Sequence, residues 1–301
     1  MKTILVLIDF SIRAEFAAEF AMHMAMKNGA NLLLCSAIEP HGPKAKLVDP
    51  SLHLPANEIF RNEVLFDLTE LGRRLLNLTP NQDELFTPII NYLADFGSIA
   101  EVVEKIDDIR SIHLVVMGSH KSYGITRFIY GSHTHTVLDK LNCPVLLIPE
   151  SLQFHGINSI AYATDLTFDN DKVINYLVDF AGSFHATIAV NHISPLSPSA
   201  PDPATVHLQN HLDSFDPPIF YNNVKASNIK DSLLEMTGTG RADILTLVHK
   251  RYDFFERFFQ PSMSKQIANI AKVPLLVLPN SFGMGEKTNH DRSNAEPVAA
   301  R

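Results

Sequence analysis

Apolar and polar positions along the chain fall into two alternating periods, one of strands and one of helices. Thr3 to Ile8 is an unbroken apolar run, the pattern of a strand covered on both faces in a parallel sheet. Asp9-Phe10-Ser11 ends it, and Ser11 is a good N-cap for a helix to about Lys27, with Phe16, Phe20 and Met24 at four-residue spacing among alanines. Asn28-Gly29 is a helix-ending signal, and Asn31 to Ala37 predicts the second strand. A proline-marked loop from Glu39 to Pro55 precedes a helix around Glu58 to Leu76, whose Leu65, Leu68, Leu71 and Leu75 share a face. Thr87 to Tyr92 predicts the third strand. Ser98-Ile99-Ala100-Glu101 is a capping box, and Ile99, Val102, Val103 and Ile106 form the buried stripe of the helix it opens. Leu114 to Met117 and Pro144 to Ile148 predict two further buried strands, the second stopped by Pro149. Between them lie a glycine-punctuated loop, Gly118 to Gly131, and a helix opening at Ser132. The alternation describes an α/β domain with a five-stranded parallel sheet.

The pattern then recurs. Asp165 falls on Asp9 at a shift of 156, and the same shift lays ATIAVNHI (Ala186 to Ile193) on ANLLLCSA. Further along the shift becomes 130, with Ser262 on Ser132, Pro274 on Pro144 and Pro279 on Pro149. The difference of 26 residues is the length by which the first half's loop and helix between strands two and three exceed the second's. Hence the chain reads as a tandem duplication, residues 1–150 and 158–280, with the boundary near Glu150 to Asn158. Residues 281–301 carry almost no apolar side chains and are expected to be a disordered tail. The second half keeps its scaffold, with a capping pattern at Asn228-Ile229-Lys230-Asp231 and strands at Ile244 to Val248 and Pro274 to Leu278.

One stretch of the first half carries the candidate chemistry. A helix start leaves backbone N–H groups without intrahelical partners and concentrates the positive end of the peptide dipoles. An anion is therefore favoured at Gly131, Ser132, His133 and Thr134. Ser132 can cap the helix or turn its hydroxyl to a phosphate oxygen. Gly118 and Gly131 are the points where a Cβ would hold a ligand off the backbone; the plainer reading makes them turn glycines. The second half has lost these features, since Val248, Arg251, Phe254 and Pro261 stand where Gly118, Lys121, Gly124 and Gly131 do. Its loop, RYDFFERFF, fills with aromatic side chains the region the first half leaves bare, and Pro261 lacks an N–H.

Gly118, two residues, Lys121, nine residues, Gly131-Ser132 resembles the nucleotide loop of the universal stress protein family, whose ATP-binding members read Gly, two, Gly, nine, Gly-Ser/Thr. The resemblance extends from about Lys2 to Pro279 and departs from the pattern at Lys121, which stands at the middle glycine. It implies two tandem Rossmann-like (adenine nucleotide alpha hydrolase-like) domains, each a five-stranded sheet of order 3-2-1-4-5 with helices on both faces. That order brings Asp9 and Gly118 to the carboxyl-end crevice where such sheets bind ligands. It also implies that Asp9 and the backbone at Leu7 and Ile8 face adenosine, that Ala37 lines the adenine site, and that Met117, Gly118, Gly131, Ser132, His133 and Thr134 hold ribose and phosphates. ATP, AMP or ADP is the implied ligand, with Mg²⁺ accompanying the triphosphate. The Lys121 ammonium either neutralises phosphate or forces a loop path that weakens the site. Asp9 has an alternative as an N-cap carboxylate. Two domains of this family pair through their fifth strands, so the duplication supplies a pseudo-dimer within one chain, and a further homodimer is compatible with it.

Composition narrows the remaining classes. Forty-six per cent apolar and nineteen per cent charged residues describe an ordinary globular protein, and a net charge of −8 with no clustered basic face argues against nucleic acid. The apolar run at the N-terminus is too short for a secretory leader or a membrane span, and two cysteines in separate strands give no disulfide framework, so a cytoplasmic protein is expected. His133 and His135, with His120 nearby, do not make a metal site, because side chains two apart on a helix point to different faces. No nucleophile, base and orienting group can be assembled from spacing, so regulatory binding is favoured over turnover. A nucleotide-free signalling module and a slow ATP hydrolase are the alternatives.

Overall fold

The computed structural model describes residues 2–38, 55–78, 86–109, 112–119, 137–138, 141–150, 152–166, 170–194, 203–216, 219–225, 229–237, 242–248 and 273–279. Lys121, Gly124, Gly131 to Thr134, the aromatic loop from Arg251 to Phe259, Pro261 and the expected tail lie outside the described residues.

Ten strands form one sheet: β1 (Thr3–Leu7), β2 (Asn31–Ile38), β3 (Ile90–Phe96), β4 (Ile112–Gly118), β5 (Val145–Ile148), β6 (Ser159–Thr164), β7 (Thr187–Ser194), β8 (Phe220–Lys225), β9 (Ile244–Val248) and β10 (Leu275–Leu278). Their order is β3-β2-β1-β4-β5-β10-β9-β6-β7-β8, so the second five strands repeat the 3-2-1-4-5 order of the first in mirror sequence. Among the described residues every pairing is parallel except β5 with β10. Helices among the described residues include α1 (Ile12–Asn28), α2 (Pro55–Leu76), α3 (Ile99–Ile109), α4 (Asn170–Gly182), α5 (Pro203–Asp213) and α6 (Ile229–Met236).

Alternation along each strand divides the core into two layers. Ile4, Val6 and Ile8 face α1 and α2, and Ile160 and Tyr162 belong to the same cluster with Val173 and Leu177 of α4 and Leu208 and Leu212 of α5. Leu5 and Leu7 face the other way, with Val102, Val103 and Ile106 of α3 and with Val137 and Leu138; Ala161 and Ala163 lie there with Leu233 and Met236 of α6. Both faces of the sheet are therefore covered, as its unbroken apolar strands require.

The halves agree in register as well as in order. Thr3 pairs with Asn31 and Ser159 with Thr187, the same spacing; Val115 pairs with Val145 and Leu245 with Leu275, again the same spacing. Ile4 pairs with Leu114 and Ile160 with Ile244, so the second half reaches its fourth strand 26 residues sooner. Much of that saving is the covering helix, 22 residues in α2 and 11 in α5. Backbone conformation repeats too: Phe10 and Leu166 have φ 58° and 61°, and Gly29 and His185 have φ 61° and 54°, both pairs at the shift of 156. A side chain in the left-handed region is costly, so its recurrence at Phe10 and Leu166 marks a turn that both halves need.

The antiparallel join has an internal symmetry. Leu275 lies opposite Leu147, Leu276 opposite Leu146 and Val277 opposite Val145. Leu146 thus faces Leu276, its own counterpart at the shift of 130, which is the signature of a two-fold relation through that pair. Between the halves, Phe154 packs on α1, with ring centroids 5.0 Å from Phe20 and 5.3 Å from His23, and Tyr176 of α4 reaches back to His113 of β4 at 6.0 Å.

Most elements follow the sequence pattern closely. Ser11 caps α1, its Oγ accepting from Ala14 N at 3.3 Å, and Gly29 closes the helix. The capping box forms as expected, the Glu101 carboxylate accepting from Ser98 N at 2.8 Å and Ser98 Oγ at 2.9 Å. The third strand is a correction: it runs Ile90–Phe96, not Thr87 to Tyr92. Pro88 has no N–H to give a ladder, Ile89 N donates to the Asn31 side chain at 3.0 Å, and regular pairing begins with Leu32 opposite Ile90. Tyr92 packs where Gly72 of α2 leaves room for its hydroxyl, a contact that explains a glycine in the middle of a helix.

Candidate functional site

The carboxyl ends of β1, β2 and β4 meet at one edge of the sheet. Val6 pairs with Val116, Leu7 with Cys35, and Ile8 N donates to Cys35 O at 2.8 Å, so Ile8, Ala37 and Gly118 end neighbouring strands. Leu7, Ile8 and Met117 are buried, while Ala37 and Gly118 are partly exposed. Asp9 is exposed at this edge, its side chain 62% accessible. Six of the sequence-predicted site residues, Leu7, Ile8, Asp9, Ala37, Met117 and Gly118, are thus brought together. Lys121, Gly131, Ser132, His133 and Thr134 are among the residues not described.

Asp9 is held by the turn it starts. Its Oδ1 accepts from Ser11 N at 3.0 Å and from Ser11 Oγ, while Ser11 in turn caps α1. The N-cap is therefore Ser11, and Asp9 fixes the cap rather than being it. Arg13 Nη2 stands 4.0 Å from the other carboxylate oxygen, Oδ2. Arg13 escaped the sequence reading because nothing in its spacing separates it from an ordinary surface residue of a first helical turn.

Gly118 has a structural reason of its own. A Cβ there would lie 2.7 Å from Arg13 O, 2.8 Å from Arg13 C and 3.0 Å from Arg13 Cβ, so glycine is required for α1 to enter beside β4. The chain then turns with Ser119 N donating to Ile148 O at 2.8 Å.

At the far side of the edge, Asp95 of β3 lies opposite Ala37. Arg61 of α2 donates to Asp95 Oδ1 at 3.1 Å and to Ala94 O at 2.9 Å, and Lys105 of α3 donates to Asp95 Oδ2 at 3.2 Å. Burial pushes the Asp95 carboxyl up, but the Lys105 ammonium, the Phe96 N–H and the Arg61 guanidinium outweigh it and hold the group below its ordinary value. This knot clamps α2 and α3 to the end of the sheet.

The equivalent edge of the second half is built differently. Tyr162, Thr164 and Asn170 stand at the positions of Val6, Ile8 and Ala14, and Tyr162 OH and Thr164 Oγ1 both donate to Asn170 Oδ1, at 2.8 and 2.9 Å. The turn acceptor is Thr164 Oγ1, bonded by Leu166 N at 3.0 Å, where the first half uses Asp9. Buried side chains knit the floor of this edge together.

Among the described residues no group of three or more His, Cys, Asp or Glu side chains is placed to hold a metal ion, and no helix is long and apolar enough to cross a membrane. Cys35 and Cys143 are buried and form no disulfide.

Comparison with known proteins places this geometry. The model of the universal stress protein family matches residues 1–149. An uncharacterised protein of Schizosaccharomyces pombe is 26% identical over 146 residues, 48% of this chain and 23% of that protein, so the chain spans about a quarter of that relative's length. A universal stress protein of Methanocaldococcus jannaschii is 26% identical over 153 residues, 49% of this chain and 94% of that one. Among solved structures, a universal stress protein from Archaeoglobus fulgidus superposes with a TM-score of 0.63 at 13% identity, covering 92% of this chain and 98% of that chain. Residues 1–149 thus match the universal stress protein family, and the α/β fold with a mostly parallel sheet is shared with the Archaeoglobus fulgidus structure.

Proposed function

We propose that the first half, residues 1–150, binds ATP or the related AMP or ADP as a regulatory ligand at the carboxyl edge of β1, β2 and β4. The observation that carries this reading is the convergence of Asp9, Ala37 and Gly118 on one edge within the part of the chain that matches the family. Strand ends at the switch between β1 and β4 are where open α/β sheets take ligands. Asp9 offers an exposed carboxylate to the hydroxyls of a ribose. Leu7, Ile8 and Met117 supply apolar wall and backbone, and Ala37 borders the base. The phosphates go to Gly118, Gly131, Ser132, His133 and Thr134, with the Lys121 ammonium as their counter-charge and Mg²⁺ accompanying a triphosphate.

In the same proposal the second half, residues 158–280, is a degenerate domain of the same family, a built-in pseudo-dimer partner that takes no nucleotide, in a cytoplasmic protein. The matched registers, the repeated positive-φ turns and the self-paired Leu146 and Leu276 support the duplication. Its own edge carries the Tyr162-Thr164-Asn170 network.

A second reading, a nucleotide-free interaction module, draws on one observation: the Arg13 backbone alone accounts for glycine at position 118. Calorimetry separates the two. The pure, nucleotide-stripped chain is expected to give binding heat with ATP that Gly131→Val abolishes; no heat, together with no adenine nucleotide carried through purification, removes ATP from the account.

A further inference from the structure

We infer that Arg13 is the anion-recognising residue of this edge, and that its charge decides which half of the molecule takes a phosphorylated ligand; the inference rests on the nucleotide reading above. Arg13 sits in the first turn of α1, where its backbone closes against Gly118 at the end of β4. Its side chain is mostly covered, 22% accessible, and its guanidinium stands at 4.0 Å from the exposed Asp9 carboxylate. The charge is thereby held at the junction of β1 and β4, where the phosphates would leave the ribose. At 4.0 Å the contact with Asp9 is one of charge and not a hydrogen bond.

The placement runs against local preference. A cation in the first turn faces the positive end of the helix dipole, which favours Asp or Glu there. A residue that breaks a local rule at the end of a sheet points to a use in binding. At the shift of 156 the second half has Asp169 in place of Arg13, the residue the dipole favours. The first edge thus carries a guanidinium suited to a phosphate fork, and at the matching sequence position, outside the described residues, the second half has an acidic residue instead.

The test compares ATP, AMP and adenosine as probes on the full chain and on Arg13→Gln, Arg13→Glu and Arg13→Lys. Arg13→Gln and Arg13→Glu are expected to weaken ATP by about 10- to 100-fold, the scale of a charge-assisted hydrogen bond, with adenosine held within about twofold and Arg13→Lys intermediate. Unchanged adenosine affinity in the same variant shows that the edge is folded. Equal ATP affinity in Arg13→Glu and the unaltered chain overturns the inference and leaves the nucleotide reading standing. Parallel loss of adenosine and ATP makes Arg13 a scaffold residue and also overturns it. Failure of the unaltered chain to bind any of the three removes the nucleotide reading, and the inference with it.

Discussion

Gly118→Ala separates a glycine needed by the fold from one needed by a ligand. The added methyl would lie 2.7 to 3.0 Å from backbone and Cβ atoms of Arg13, against an ordinary contact of roughly 3.5–4 Å. The obstacle is main chain at the start of a helix, tied by Ser11 and Asp9, so no side-chain rotation relieves it. Either α1 or the end of β4 must shift by several tenths of an ångström. Overpacking of this kind costs about 1–3 kcal/mol. In a chain of this size that corresponds to a fall in melting temperature of roughly 2–6 °C. Differential scanning calorimetry of nucleotide-stripped protein reads it directly. If the glycine serves the helix, the loss appears without any nucleotide present. A Gly118→Ala protein as stable as the unaltered chain when stripped, and weaker only in nucleotide binding, would refute the argument from close approach.

Two further predictions concern the join between the halves and its response to acid. Leu146 and Leu276 lie opposite one another on one face of the β5/β10 ladder, so Leu146→Ala and Leu276→Ala should each cost about 2–5 kcal/mol, and together depart from additivity by about 0.5 kcal/mol or more in urea unfolding; strict additivity would contradict the pairing. Burial, and then the Lys2 ammonium, hold His113 below the ordinary imidazole range against an opposing pull from Asp179, and burial does the same to His23. Below about pH 6.5 the unfolded chain therefore binds more protons than the folded one, and stability is lost as pH falls from there toward the lowered folded values. His113→Phe keeps a ring against Tyr176 and removes one titration, so its urea midpoint should fall less between pH 7 and pH 5 than that of the unaltered chain; an equal fall would count against the burial argument.

Local signals placed nearly all of the secondary structure. Ser11, Gly29 and the Ser98-Glu101 box ended helices where their side-chain chemistry says they should. The recurrence of sequence pattern at shifts of 156 and 130 reaches further than a single pattern could, because it predicts strand register, and the ladders show the same spacings. The third strand starts later than its apolar pattern because Pro88 has no N–H and Ile89 N is taken by the Asn31 side chain. The close packing of Gly72 on Tyr92 and of Gly118 on Arg13 was invisible for a different reason: each depends on two segments 20 to 105 residues apart meeting in space. Composition and periodicity carry no record of such meetings. For the same reason the approach of Gly118 to Arg13 leaves no mark in the sequence, and Arg13 carries no signal of its own there.

In the proposed function two halves of one topology differ in use, and a nucleotide is held by the first alone. Native mass spectrometry of the stripped chain titrated with ATP tests it most directly. A single added nucleotide mass per chain is expected at saturation, lost in Gly131→Val. Two nucleotides per chain, or one that persists in Gly131→Val, would contradict it.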